Sequence, residues 1–206
     1  MAVLQFVLTA LAARTAEWIY EVKRPLPELL EVHERQIRIK YEHRKCFQPS
    51  ARNPVRMCSM VATWFLEGSE QDQHRVFLIT FRGTETLRDW MHNFAAGLNQ
   101  RAFHDQGLHV HMGWSAAIDV NDFVTQLAAG LRQEERRARL DAFLLTGHSL
   151  GGALAQVAAM MAYREAPKYN ANLYDLLRER LQCITGGSAP ALCARPGSRA
   201  GQSKTR

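Results

Sequence analysis

A serine flanked by glycines is the strongest chemical signal in the sequence. Gly147, Ser149 and Gly151 stand in the spacing Gly-x-Ser-x-Gly, between the apolar residues 142–146 and the alanine-rich residues 153–163. This order predicts a strand, a tight turn and a buried helix, the arrangement that exposes a serine hydroxyl for attack on a carbonyl carbon. The glycines are needed because strand and helix approach closely at such a turn. A glycine-rich turn with a helix-capping serine is the simpler alternative.

A second candidate group follows the near-continuous apolar run of residues 75–81, which predicts a strand buried on both faces. Thr84 stands three residues after that run, and catalytic groups gather at the carboxyl ends of strands in α/β sheets. There Thr84 can offer its backbone N–H and its hydroxyl to a developing oxyanion. The N–H of Leu150, at the start of the helix after Ser149, can do the same. The alternative for Thr84 is an ordinary strand-ending turn.

The elements that must position these residues alternate between helix and strand. Because strands that alternate with helices form parallel pairs, the pattern predicts a mostly parallel sheet with helices on both faces. Residues 97–112 read as irregular. The predicted helices cover residues 2–22, 28–44, 84–94, 114–139, 153–163 and 173–181, and the predicted strands cover 60–66, 75–81, 142–146 and 183–185.

Composition fits one globular domain, with 47% hydrophobic and 22% charged residues in a chain of 206. Residues 194–206 contain four basic residues and no acid, so they supply most of the net charge of +6. The nearly neutral remainder argues against nucleic-acid binding, which needs basic residues clustered on a folded face. We therefore predict a domain over 1–193 and a disordered basic tail over 194–206. Transient contact of this tail with an anionic membrane surface is the alternative.

The four cysteines do not have the spacing of a zinc site, and no metal or organic cofactor is predicted. They fit a reduced state or one or two disulfides equally well. The apolar first 13 residues carry no basic residue before Arg14, so they predict a domain helix, with a targeting signal as the alternative. A cytoplasmic or membrane-associated location is favoured over secretion, and the compartment stays open.

Three motifs together resemble the class 3 lipases, the fungal-type triacylglycerol lipase family. They are residues 81–84 with Asp89 and Trp90, residues 110–114, and residues 146–155. All three occur in the family's order, and the resemblance extends from about residue 76 to residue 190.

The resemblance implies an α/β-hydrolase fold and the hydrolysis of acylglycerols or related carboxylic esters. It implies Ser149 as nucleophile, Thr84 and Leu150 as the oxyanion hole, and a lipid or ester substrate. Residues 86–94 correspond to the mobile lid of secreted members. There Trp90 and Met91 either face lipid or belong to an ordinary buried turn.

The base that acyl transfer requires does not follow the serine as it does in the family, where Asp and then His come after it. No histidine follows Ser149, and Asp175, the one aspartate after it, lies in a predicted helix. We therefore expect the sheet to be incomplete at its C-terminal end, as in a fragment of a longer lipase. One alternative is a catalytically silent relative that binds lipid or a protein partner. Another is an enzyme that uses His109 or His111 as an unconventional base. An acyltransferase would share the same serine chemistry.

Overall fold

The structure is a computed structural model that describes residues 2–32, 35–47, 56–83, 98–99, 108–111, 118, 120–169, 171–187 and 192–194. The described helices are α1 (Ala2–Trp18), α2 (Val120–Arg137), α3 (Leu150–Tyr169) and α4 (Ala171–Arg180). The described strands are β1 (Leu29–Val32), β2 (Arg35–Phe47), β3 (Met57–Leu66), β4 (His74–Phe81), β5 (Leu98–Asn99), β6 (Leu108–His111), β7 (Ala142–His148), β8 (Leu181–Gly186) and β9 (Leu192–Ala194).

The main sheet has six strands in the order β1-β2-β3-β4-β7-β8. The pairs from β1 to β4 are antiparallel, whereas β4 pairs with β7 and β7 with β8 in parallel. The sheet is therefore mixed over the described residues, and the expectation of a mostly parallel sheet is corrected. The physical reason is the length of the connections. A short turn at residues 67–73 can only reverse the chain, whereas parallel pairing requires a crossover such as α2 or α3 with α4.

Helices cover both faces of this sheet, as the sequence predicted. On one face α1 packs against an apolar cluster that includes Ile39, Met60 and Leu144. On the other face α2 and α3 enclose a second cluster that includes Phe81 and Phe143.

Two buried threonines tie the sheet to α1. The Thr80 hydroxyl donates to the Thr15 carbonyl oxygen at 3.2 Å, and the Thr146 hydroxyl donates to the Ala12 carbonyl oxygen at 3.3 Å. Both bonds join the backbone of α1 to the two central strands, so α1 is part of the domain over the described residues.

The predicted helix over residues 28–44 is wrong, because β1 and β2 form an antiparallel hairpin there. Ile37 and Ile39 are 0% and 2% exposed, whereas Arg38 and Lys40 are exposed. Burial therefore alternates with a period of two residues, which is the pattern of a strand with one face on the core. The charged residues between the isoleucines made the segment resemble an exposed helix.

Cys46 and Cys58 face each other on β2 and β3 and form a disulfide. The sequence left open either a reduced state or one or two disulfides, and the structure contains this disulfide. Cys183 on β8 is a free thiol. Loss of hydration raises the pKa of Cys183 to about 11, so this thiol is protonated at neutral pH.

The remaining predicted elements are present with shifted ends. They correspond to α1, β3, β4, α2, β7, α3, α4 and β8. Residues 97–112, predicted to be irregular, contribute β5 and β6, which form a small second sheet with β9 in the order β5-β6-β9. The predicted helix over 84–94 and residues 195–206 of the predicted tail lie outside the described residues. Among the helices that are described, none is long and apolar enough to cross a membrane.

Candidate active site

Ser149 occupies the turn between β7 and α3, at the carboxyl end of the parallel strands. Its φ of 54° lies in the left-handed region, which is uncommon for a residue other than glycine. Its N–H donates to the Gly186 carbonyl oxygen on β8 at 3.0 Å, and its carbonyl oxygen accepts from the Ala153 N–H at 3.2 Å. The turn is thus bonded both to the neighbouring strand and to the first turn of α3. The predicted strand–turn–helix is present.

Glycine is required on both sides of this serine because the backbones approach closely. A Cβ on Gly147 would overlap the carbonyl group of Gly151 and lie 2.8 Å from the Gly152 nitrogen. A Cβ on Gly151 would overlap the Phe81 carbonyl oxygen and lie 2.8 Å from the Gly83 nitrogen. The second contact packs the end of β4 directly against the start of α3. Residues 147–151 are called the elbow below.

Of the two predicted oxyanion-hole residues, the structure describes Leu150 but not Thr84. Leu150 is the first residue of α3 and is 4% exposed. Its backbone N–H belongs to the first turn, where helix amides have no intrahelical acceptor and the helix dipole favours negative charge. Thr84 lies outside the described residues. Gly83, its immediate neighbour, is described and lies against Gly151.

Tyr20 is a residue near the elbow that the sequence analysis did not single out. A Cβ on Gly83 would overlap the Tyr20 hydroxyl oxygen, and the guanidinium carbon of Arg82 lies 5.5 Å from the centre of the Tyr20 ring. The Tyr20 side chain therefore packs on the segment that leads from β4 to Thr84. Only its place just after α1 could have drawn attention to it, since no motif includes it.

A family model described as "Lipase (class 3)" matches residues 78–194, which is more than half of the chain. The chain belongs to the class 3 lipase family. No curated protein matches the sequence at a significant level.

Solved lipase structures have the same fold as this class 3 lipase chain. The native Rhizomucor miehei lipase propeptide complex has a TM-score of 0.51 and 18% identity, and the match covers 92% of this chain and 53% of that one. The lipase from Rhizopus microsporus var. chinensis has a TM-score of 0.51 and 18% identity, with coverage of 91% and 58%. The triacylglycerol lipase from Penicillium expansum has a TM-score of 0.50 and 16% identity, with coverage of 89% and 60%.

These matches confirm the α/β-hydrolase fold class. At such low identity they establish the fold alone. The class 3 lipase chain spans a little over half the length of the solved lipases that it matches.

The histidines of this lipase chain lie at different distances from Ser149. Among those with described side chains, His43 contacts Glu134 at 3.3 Å and His74 contacts Asp141 at 3.5 Å. Both lie away from the elbow, His74 at the amino end of β4. His109 and His111 lie on β6, and their side chains are outside the described part of the structure.

His148 is therefore the imidazole nearest to Ser149 among the described side chains. It is exposed, and a Cβ on Gly187 would lie 3.2 Å from its Nε2. Its ring thus extends across the end of β8, on the side of the sheet that α1 covers. Within the described residues, no group of three or more His, Cys, Asp or Glu side chains converges as a metal site would require.

Proposed function

We propose that this chain hydrolyses carboxylic esters of lipids, acylglycerols among them, with Ser149 as the nucleophile. The observation that carries the proposal is the conformation of Ser149. A left-handed backbone is costly for a residue other than glycine, and the glycines on either side leave no room for a Cβ. Such strain is retained where the strained residue presents a reactive group. A capping serine would need neither feature. The family membership of the chain supports the same chemistry, and the Penicillium relative named above is a triacylglycerol lipase.

The proposed reaction proceeds through an acyl-enzyme. The Ser149 Oγ forms a bond to the ester carbonyl carbon while its proton passes to a base, and the carbonyl electrons move onto oxygen. Collapse of this tetrahedral species breaks the bond to the alkoxy group, which leaves as an alcohol with the proton. Water then attacks the acyl-serine in the same way, and it releases the carboxylic acid and the free hydroxyl of Ser149.

The oxyanion is stabilised in this proposal by the N–H of Leu150 and by Thr84. Two features support the pairing. The Leu150 amide belongs to the first turn of α3, and Gly83, the residue before Thr84, lies against Gly151 in that turn. Loss of one such donor typically lowers the rate by about 10²–10³.

The base is the component that the described residues do not assign. His109 and His111, which both lie on β6, remain the candidates for the base. A second candidate function is the binding of the lipid without its hydrolysis. The observation that favours it is that, among the histidines with described side chains, His43 and His74 pair with Glu134 and Asp141 away from the elbow.

Labelling with a fluorophosphonate tests the nucleophile directly. We expect the purified 206-residue chain to be labelled on the peptide that contains Ser149, and Ser149→Ala to abolish the labelling. Ser69→Ala, which removes a hydroxyl from the turn between β3 and β4, is the matched control and should be labelled like the wild type.

The outcome decides between the two functions. Labelling that persists in Ser149→Ala would exclude this serine as the nucleophile. Absence of labelling in a wild-type chain that unfolds cooperatively would contradict the hydrolase proposal and favour the lipid-binding function.

A further inference from the structure

A cavity of about 260 Å³ lies between α2 and the strands β2, β3 and β4, on the face of the sheet opposite α1. We call it the α2 cavity. None of its described lining residues belongs to the elbow, so it is separate from the site proposed above. An apolar cavity of about 150 Å³ is already large enough to bind benzene. The α2 cavity therefore has room for one small molecule.

A small residue on the sheet leaves this space open. Ser59 lies between Met57 and Val61 on the face of β3 that α2 covers, and it is 9% exposed. Its short side chain leaves unfilled the volume that a leucine would occupy there. Opposite the strand, a Cβ on Gly130 would lie 3.1 Å from the Cζ of Phe77, so this glycine allows the Phe77 ring to reach α2 and form a wall of the cavity.

The walls of the α2 cavity favour a flat aromatic ring as ligand. They are formed mainly by six apolar side chains, Phe47, Met57, Phe77, Ile79, Phe123 and Leu127. Three of the six are phenylalanines, whose rings attract another ring in edge-to-face or offset arrangements. The thioether of methionine also makes favourable contacts with aromatic rings. An aromatic ligand therefore gains contacts here that an alkyl chain does not.

The side-chain oxygen of Gln126 is the polar atom that remains to be satisfied. Gln126 lines the cavity, and its Oε1 is buried with no hydrogen-bond partner within the described residues. Its Nε2 donates to the Asp122 carboxylate at 2.7 Å, which fixes the orientation of the amide. A buried acceptor without a donor costs free energy, so a ligand that donates a hydrogen bond to this oxygen is favoured.

The charges at the cavity disfavour a cationic donor. Glu134 lines the cavity, but its carboxylate already pairs with Arg75 at 3.1 Å and with Arg137 at 3.3 Å. Lys45 also lines the cavity, and its Nζ lies 4.9 Å from the centre of the Phe47 ring. Three cations thus accompany one carboxylate in this group, and an ammonium ligand would meet a like charge.

We propose that the α2 cavity binds a neutral phenol, with the ring between the three phenylalanines and the hydroxyl group donating to the Oε1 of Gln126. This binding site does not depend on the proposed hydrolase activity, since no atom of the elbow takes part in it.

Titration of the ¹⁵N-labelled chain with 4-ethylphenol, followed by amide chemical shifts, tests the location and the affinity together. We expect the largest shift changes in α2 and at Met57–Ser59 of β3. The methyl ether 4-ethylanisole has the same ring but cannot donate, so it should bind about tenfold more weakly. The cation 4-ethylbenzylamine should also bind more weakly than the phenol. Equal affinity for the phenol and its ether, or shift changes centred on the elbow, would overturn the proposal.

Removal of the acceptor provides a more specific test. Gln126→Met keeps a side chain of similar length but has no amide oxygen, so it should bind 4-ethylphenol and 4-ethylanisole equally. Gln133→Met makes the same change at an exposed residue that also lines the cavity, and it should keep the preference for the phenol. Loss of the preference in both variants, or in neither, would contradict the role of Gln126.

Filling the cavity supplies an independent measurement. Ser59→Leu places apolar volume where the ring would lie, so it should weaken binding of 4-ethylphenol at least tenfold. Ser69→Leu makes the same change in the turn between β3 and β4 and should bind like the wild type. Unchanged affinity in a Ser59→Leu chain that unfolds cooperatively would exclude this cavity as the site. If that variant does not fold, the comparison of Gln126→Met with Gln133→Met decides the question.

Ser149→Ala separates this inference from the proposed function. It should bind 4-ethylphenol like the wild type although it loses fluorophosphonate labelling. Weaker binding of the phenol in Ser149→Ala would place the ligand at the elbow and overturn the inference. Phenol binding in a chain that fluorophosphonate does not label would contradict the hydrolase proposal alone.

Discussion

Ser149 adopts a backbone conformation that few serines adopt, and its surroundings explain how that conformation is held. Hydrogen bonds to Gly186 and Ala153 fix the turn from both sides, while Gly147 and Gly151 allow strand and helix to approach. At the scale of single residues, the conformation of Ser149 therefore depends on the absence of side chains at Gly147 and Gly151. Any methyl group added here must displace backbone, which cannot yield as a flexible side chain can.

Gly151→Ala should consequently disturb the site more than its size suggests. The added methyl would overlap the Phe81 carbonyl oxygen, so either the end of β4 or the first turn of α3 must move. We expect the free energy of unfolding to fall by about 1–3 kcal/mol in urea titration, together with loss of fluorophosphonate labelling.

Gly186→Ala is the appropriate control for that change. A Cβ there would meet only the Cδ2 of His148, at an ordinary distance of 3.6 Å. Equal stability of the two variants would show that the approach at Gly151 is looser than the structure has it.

At the scale of elements, the hairpin of β1 and β2 is the clearest case in which pattern and structure diverge. Segment 28–44 carries charges at close intervals, which favours an exposed helix when read alone. The hairpin forms because alternate residues of β2 are buried against α1 and β3, while the charged side chains between them stay in solvent. Periodicity of two was present in the sequence, but it was obscured by the density of charge.

Paired substitutions along β2 should reproduce that alternation. Ile37→Ala and Ile39→Ala remove side chains that are almost fully buried, and each should lower the free energy of unfolding by about 2–5 kcal/mol. Arg38→Ala and Lys40→Ala, at exposed positions of the same strand, should each leave the free energy of unfolding close to that of the wild type, because solvent screens surface ion pairs. Urea titration of the four variants measures the difference. A helical pattern of losses, or none, would speak against the hairpin.

At the scale of the whole molecule, α1 stands out because it completes one face of the sheet. The hydroxyl groups of Thr80 and Thr146 donate to its backbone, and its apolar residues share one buried cluster with those of the sheet. This supports the interpretation of the first residues as a domain helix.

Deletion of residues 2–18 should therefore abolish cooperative unfolding, because the apolar face under α1 would be exposed to water. Deletion of residues 195–206, in the predicted tail, should leave the urea midpoint unchanged. Circular dichroism during urea titration distinguishes the two deletions. A cooperative transition of normal midpoint without α1 would mean that this helix is dispensable to the domain.

The order of neighbouring residues in the sequence was sufficient to predict the elbow, the helix after it and the family. The spacing of Gly147, Ser149 and Gly151 acts through neighbouring residues, so their sequence already contains the physical cause of the turn. The same holds for the apolar runs that became β4 and β7.

Tertiary structure decided the features that depend on residues far apart in sequence. These are the mixed pairing of the sheet, the hairpin at β1 and β2, and the Cys46–Cys58 bridge among several possible cysteine states. They also include the contact of Tyr20 with Gly83. Each arises because strands and helices bury their apolar faces against partners that no local pattern identifies. The sequence by itself determined the tight turn at Ser149, and only the packed sheet decided what surrounds it.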